Sequence, residues 1–216
     1  MIRAVLFDLD GTLLDTAADL GCALNLLLAE ENLPPLSQEL IRPHAGSGCR
    51  GLLKLGLSIP HTHHQYHEMA TRLLNYYANC LTRQTRLFDG MAETLDFLDK
   101  KNISWGVVTN KPARFTLPLL AHFGLDKRAR CIISGDTLPR HKPDPAPLLR
   151  ACELMAIPPE RCLSLGDMKT DVEAGIGAGT TVLTALYGYI PPEEHPLEWP
   201  AAGWLHQPLD LIEWLS

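Results

Sequence analysis

The chain has 216 residues, 46% of them hydrophobic, with 19 basic against 25 acidic side chains and a net charge of −6. That size suits one large domain, or one domain carrying an insertion, with apolar residues enough for a full core. The acidic balance without a long basic run excludes nucleic acid and anionic membrane as expected partners, no run is long and apolar enough for a span, and Arg3 precedes a strand rather than the apolar stretch and cleavage site of a leader, so the cytoplasm is the expected location.

The first element is the apolar run Ala4 to Phe7, which leads straight into Asp8-Leu9-Asp10-Gly11-Thr12. A short continuous apolar run reads as a strand buried on both faces of a parallel sheet. Gly11 to Asp15 reads as a tight loop, and Thr16 with Asp19 as a capping box opening a helix through Leu20, Leu24, Leu27 and Leu28. Asn32 and Pro34-Pro35 stop that helix. Ser37 begins a short second helix, and Gly46-Ser47-Gly48 reads as a flexible loop with Arg50 close behind. Met69, Leu73, Leu74, Tyr77 and Leu81 keep helical spacing through a longer helix. No strand-like run occurs between residues 16 and 85, so this block reads as an all-helical insertion.

From Phe88-Asp89-Gly90 the pattern alternates between helix and strand. A helix over 91–101 precedes the strand Trp105 to Thr109. A helix over 113–123, with Pro118 inside it, precedes the strand Cys131 to Ile133. Asp144 caps a helix that begins at Pro145 and reaches Met155. The strand Cys162 to Leu165 ends in Gly166-Asp167, Thr170 with Glu173 reads as a capping box, and Thr181 to Ala185 is a further strand. A Pro-rich loop over 191–203 and a closing helix over 209–215 complete the chain. The alternation implies an α/β fold, a parallel sheet with helices on both faces. The six cysteines have no CxxC spacing and read as reduced, apolar side chains.

In a parallel sheet the strand ends share one edge, where such folds hold their ligands. That edge collects Asp8 and Asp10, Thr109-Asn110, Lys142, and Gly166-Asp167 with Asp171 four residues further on. Phosphoryl transfer uses this kit. A hard cation binds carboxylate oxygens, a lysine, a hydroxyl and backbone N–H groups neutralise phosphate oxygens, one carboxylate can attack phosphorus, and another can move protons.

The motifs Asp8-x-Asp10-Gly11-Thr12, Thr109-Asn110-Lys111-Pro112, Lys142-Pro143 and Gly166-Asp167-x-x-x-Asp171 resemble, in order, the four motifs of the haloacid dehalogenase-like hydrolase superfamily. The resemblance implies a Rossmann-like core over 1–15 and 86–216, with a helical cap domain over 16–85. It implies Asp8 as nucleophile, Asp10 as general acid/base, and Thr109, Asn110 and Lys142 on the phosphate. It further implies Mg²⁺ on Asp8, the Asp10 carbonyl and Asp167, with Gly11, Thr12, Gly166 and Asp171 in support. Asp10 speaks against a dehalogenase, and a phosphonatase would need a cap lysine, for which Lys54 is the candidate. Within the superfamily the segments Trp105 to Phe115 and Tyr187-Gly-Tyr-Ile190-Pro are similar to phosphoglycolate phosphatases, and more so to N-acetylmuramic acid 6-phosphate phosphatases. The implied partner is a small phosphorylated molecule and the implied assembly a monomer or homodimer. A phosphosugar mutase and a phospho-aspartyl signalling switch are the rival readings.

Simpler explanations stand beside some of these. Thr109 and Asn110 alone would be a helix cap, Lys142 alone a surface charge, and Asp171 a helix-start acid. Gly46, Ser47 and Arg50 form a turn with a solvated arginine, or a substrate-facing set on the cap. The group His61, His63, His64 and His67 lacks ligand spacing and reads as exposed polarity.

Overall fold

A computed structural model describes residues 1–216. The elements in chain order are β1 (Ala4–Phe7), β2 (Leu14–Asp15), α1 (Ala17–Glu30), α2 (Gln38–Ile41), α3 (Gly48–Leu57), α4 (Tyr66–Cys80), β3 (Arg86–Leu87), α5 (Met91–Lys100) and β4 (Ser104–Val108). They continue with α6 (Ala113–His122), β5 (Ile132–Ile133), α7 (Ala146–Met155), β6 (Cys162–Gly166), α8 (Lys169–Ala178), β7 (Thr181–Ala185), β8 (Gly203–Leu205) and α9 (Asp210–Leu215).

Six strands form a parallel sheet in the order β5-β4-β1-β6-β7-β8. β1 lies inside it, its four residues buried on both faces. The pleat divides them: Val5 and Phe7 join the core on one face with Met91, Leu95 and Leu120, while Ala4 and Leu6 join the other with Leu148, Ala151 and Ala174. Helices thus cover both faces because successive side chains need cover on opposite sides. β1, β4 and β6 are hydrogen-bonded neighbours in register, so Asp8, Thr109 and Asp167 leave the sheet side by side.

The helices α1 to α4 lie between β2 and β3 and bury a third apolar cluster around Leu24, Leu27, Leu52, Leu53, Leu73 and Tyr77. β2 and β3 pair antiparallel, Leu14 with Leu87 and Asp15 with Arg86. The chain therefore leaves the main sheet and returns to it at one place. No helix is long and apolar enough to cross a membrane, and all six cysteines are unpaired in disulfides.

Several local expectations are corrected. The loop expected over Gly11 to Asp15 ends in β2, and the Pro-rich tail runs into β8, a sixth sheet strand. The loop expected at Gly46-Ser47-Gly48 is taken up by a 3₁₀ turn over Arg42–Ser47 and the start of α3. The capping box of Thr16 and Asp19 does not form. Thr16 Oγ1 donates instead to Asp10 Oδ1 (2.6 Å), and the wholly buried Asp19 accepts from Gln84 N–H, Thr85 N–H and Thr85 Oγ1 on the returning chain. Tyr189 supplies the missing cap, its hydroxyl accepting from the N–H groups of Thr16 (2.6 Å) and Ala17 (2.9 Å) and donating to Asp15 (2.9 Å). Thr170 and Glu173 likewise form no box. α8 begins at Lys169, and the Asp171 carboxylate accepts from Met168 N–H at 3.0 Å. Asp144 does cap α7, accepting from Ala146 N–H at 2.9 Å.

Candidate active site

Asp8 follows β1 directly, and its N–H donates to Leu165 O on β6 at 2.8 Å, which fixes where its side chain leaves the sheet. Gly11, at φ +78°, turns the chain over Asp167; a Cβ there would lie 2.2 Å from Asp167 Oδ2, so the close approach requires glycine. Asp167 follows β6, is fully buried, and accepts from Tyr189 N–H (2.6 Å) and Thr12 Oγ1 (3.2 Å). Gly166 leaves room for the Asp171 carboxyl group in the same way.

Lys142 reaches this group from the chain following β5. Its Nζ donates to Val108 O (2.7 Å) and Asp171 Oδ1 (2.5 Å) and lies 2.9 Å from Asp8 Oδ1. The contact with Asp8 is close in charge but poor in angle, so that oxygen has no hydrogen-bond partner. The Lys142–Pro143 bond is cis. Asn110 sets Lys142 in place: its amide donates to Lys142 O (2.9 Å) and accepts from Lys142 N–H (3.0 Å). Its side chain is thus engaged with the lysine backbone. Thr109 Oγ1 accepts from Lys111 N–H at 3.2 Å and keeps its own proton to donate.

The charges are strained. Burial pushes the Asp8 carboxyl up from 3.8 to about 6; Lys142 pulls it down, and Asp171 and Asp10 add to the rise. Burial, with Asp8 and Asp171 nearby, holds Asp167 well above the usual carboxylate range. Burial opposes the charge on Lys142, but Asp171 and Asp8 outweigh it and keep the ammonium above its ordinary pKa. Ligand oxygens of Asp8, Asp167 and Asp171 lie within 4.8 Å of one another. Three carboxylates, Asp167 and Asp171 buried and Asp8 partly so, with a single ammonium that pairs with two of them, form a hard-oxygen set that suits a divalent cation. The histidines at 61–67 form no such group.

Asp10 does not share this cluster. Its carboxylate accepts from Lys111 Nζ at 3.0 Å on both oxygens, besides the Thr16 bond. Lys111 is a functional candidate that the sequence reading passed over. The available signal was a lysine inside the motif after β4, next to Thr109 and Asn110. Tyr189 was passed over too, quoted only as part of a signature, although its N–H holds Asp167.

A cleft of about 530 Å³ opens between the strand ends and the helical block. Asp8, Asp10, Thr109, Asn110, Lys142 and Asp171 line one side; Gly46, Ser47 and Arg50 line the other, with Tyr66, Leu73 and Tyr77. Gly11, Thr12, Gly166 and Asp167 lie behind this surface, where they shape and support it.

Residues 5–185 of the chain match the model of the haloacid dehalogenase-like hydrolases. The chain belongs to that family. It is 39% identical to the N-acetylmuramic acid 6-phosphate phosphatase of Pseudomonas putida over 210 residues, covering 97% of this chain and 94% of that one. It is 37% identical to a phosphoglycolate phosphatase of Xanthomonas campestris pv. campestris over 212 residues, covering 98% and 95%. The crystal structure of a predicted phosphoglycolate phosphatase from Haemophilus somnus superposes with a TM-score of 0.86 at 28% identity, over 100% of this chain and 98% of that one.

Proposed function

We propose that the protein is a Mg²⁺-dependent phosphomonoesterase acting on a small phosphorylated metabolite through an aspartyl phosphate. The observation that carries this is the meeting of Asp8, Asp167, Asp171 and Lys142 at one sheet edge, beside a second, separately held aspartate. Asp8, Asp167 and the Asp10 carbonyl would hold Mg²⁺, which supplies positive charge against the phosphate oxygens.

The protein's own groups do the rest. Lys142 and the Thr109 hydroxyl bind phosphate oxygens. An Asp8 oxygen attacks phosphorus while the ester P–O bond breaks, and its electrons pass to the leaving oxygen, which Asp10 protonates. Asp10, now a carboxylate, takes a proton from water, whose oxygen attacks the aspartyl phosphate. Inorganic phosphate leaves and Asp8 is restored. Asn110 serves this by holding Lys142. Residues 16–85 act as a cap domain over the core of 1–15 and 86–216, excluding water from the cleft.

N-acetylmuramic acid 6-phosphate is the favoured substrate. Two relatives bearing that activity in their names are 39% and 37% identical over nearly the whole chain. The cleft, at about 530 Å³, falls in the usual small-molecule range and has room for a sugar phosphate, and Arg50 on its cap side would meet a substrate carboxylate. Phosphoglycolate, a smaller phosphorylated acid, is the alternative. Values of kcat/KM on both, with a generic aryl phosphate, decide between them. Full activity of Asp8→Asn on any of the three would refute the mechanism.

A further inference from the structure

Asp10 is gripped by a side chain to which the phosphatase chemistry gives no task. Lys111 Nζ contacts both Asp10 oxygens at 3.0 Å, with the two side chains 6% and 17% exposed. The remaining Asp10 contact, from Thr16 Oγ1, reaches one oxygen and leaves the carboxyl free to turn about it. A cation bridging both oxygens stops that turn. The stem of Lys111 is itself fixed: its N–H donates to Thr109 Oγ1, and its carbonyl accepts from Gly135 N–H (2.8 Å) and Thr116 Oγ1 (3.0 Å).

The far side of the ammonium is covered from the helical block. Tyr77 on α4 presents its ring face 4.5 Å from Nζ and packs against Phe115, with ring centroids 5.3 Å apart. Tyr77 is 1% exposed and its hydroxyl oxygen accepts no hydrogen bond from the ammonium, so the ring face makes the contact. An aliphatic side chain would fill this space without the penalty of burying a charge. A lysine here does something that packing alone does not.

We propose that Lys111 is a positioning residue for Asp10, aiming the carboxyl at the ester oxygen, and that Tyr77 of the helical block holds Lys111 to that task. The inference rests on the phosphatase reading and deepens it. As the P–O bond breaks, the proton moves from Asp10 to the leaving oxygen; Lys111 transfers nothing and fixes the direction of the transfer.

Leaving groups separate positioning from bulk structure. A sugar 6-phosphate expels a poor leaving group and needs the proton; para-nitrophenyl phosphate expels a good one and does not. Because kcat/KM reports formation of the aspartyl phosphate, Lys111→Met lowers it about tenfold to a hundredfold on the sugar ester, part of the ~10²–10⁴ that such proton transfer supplies, and less than about threefold on the nitrophenyl ester. Its kcat falls on both, since release of the aspartyl phosphate uses Asp10 as base. Lys111→Arg restores part of the loss on the sugar ester. Tyr77→Leu, which leaves the charge pair intact, gives the same selective loss at smaller size and decides the matter where Lys111→Met does not fold. Equal losses of kcat/KM on both esters, or none on either, overturn the inference while the phosphatase reading stands. A wild-type chain inactive on both and on phosphoglycolate overturns the two together.

Discussion

Replacing Asp8 by asparagine is expected to abolish turnover and, in chelator, to make the protein more stable. Asp8 is folded into a site that resists its charge: its carboxyl is pushed up from 3.8 to about 6 by burial and by Asp171, against the pull of Lys142. A folded pKa above the unfolded one means that the folded state binds the proton more tightly. Asp8's contribution to metal-free stability is therefore most favourable below 3.8, falls as pH rises to about 6, and is level above it. With 1.36 kcal/mol per pKa unit, ionising Asp8 in the fold costs about 1 kcal/mol near pH 4.5 and about 3 kcal/mol near pH 7.5. An asparagine side chain has the same shape and no charge, so the variant should gain about those amounts, roughly 6–12 °C in Tm at the higher pH. Lys142 keeps Asp171 and Val108 O as partners in the variant. Thermal unfolding of both proteins in chelator across that pH span measures the difference. A variant no more stable than wild type near pH 7.5, or a gain that does not shrink on acidification, would refute the charge argument.

The same cluster predicts a metal response. Saturating Mg²⁺ at a hundredfold over its Kd should stabilise the wild type by about 2.7 kcal/mol near pH 7.5, with loss of that shift in Asp167→Asn, as read by calorimetry. Asp19→Ala strands the N–H groups of Gln84 and Thr85 and should lower stability by about 3 kcal/mol, measured by urea unfolding; a change near zero would mean that water replaces the carboxylate. Gly188→Ala places a Cβ 2.3 Å from Asp167 Cβ, so Asp167 must move. Misplacement by about 1 Å can cost a hundredfold, and kcat/KM should fall by roughly that factor while far-UV circular dichroism stays unchanged.

The parts of this molecule that were legible in sequence are those set by local pattern. β1, β4, β6 and β7 are continuous apolar runs because each is buried on both faces, and a run of that kind has few other solutions. The strand-end acids and Lys142 follow from parallel topology, which brings the ends together whatever the intervening chain does. The failures share a different cause. Thr16 and Asp19 have the spacing of a capping box, yet Asp10 and the Gln84–Thr85 backbone compete for them and win, and those partners lie 6 and 65 residues away. β2, β3 and β8 are two or three residues long, too short for any period to register. Lys111 looked like one motif lysine among ordinary charges because its two partners are distant in the chain, Asp10 ahead of the helical block and Tyr77 in its last helix.

The ladder between Asp15 and Arg86 has an evolutionary reading. Two chain ends already laced together make the intervening 70 residues an exchangeable cassette: they can lengthen, shrink or be traded without rethreading the sheet, because loop closure at the seam is already satisfied. The cleft wall that these residues supply is thus free to be revised at a different speed from the sheet edge that faces it.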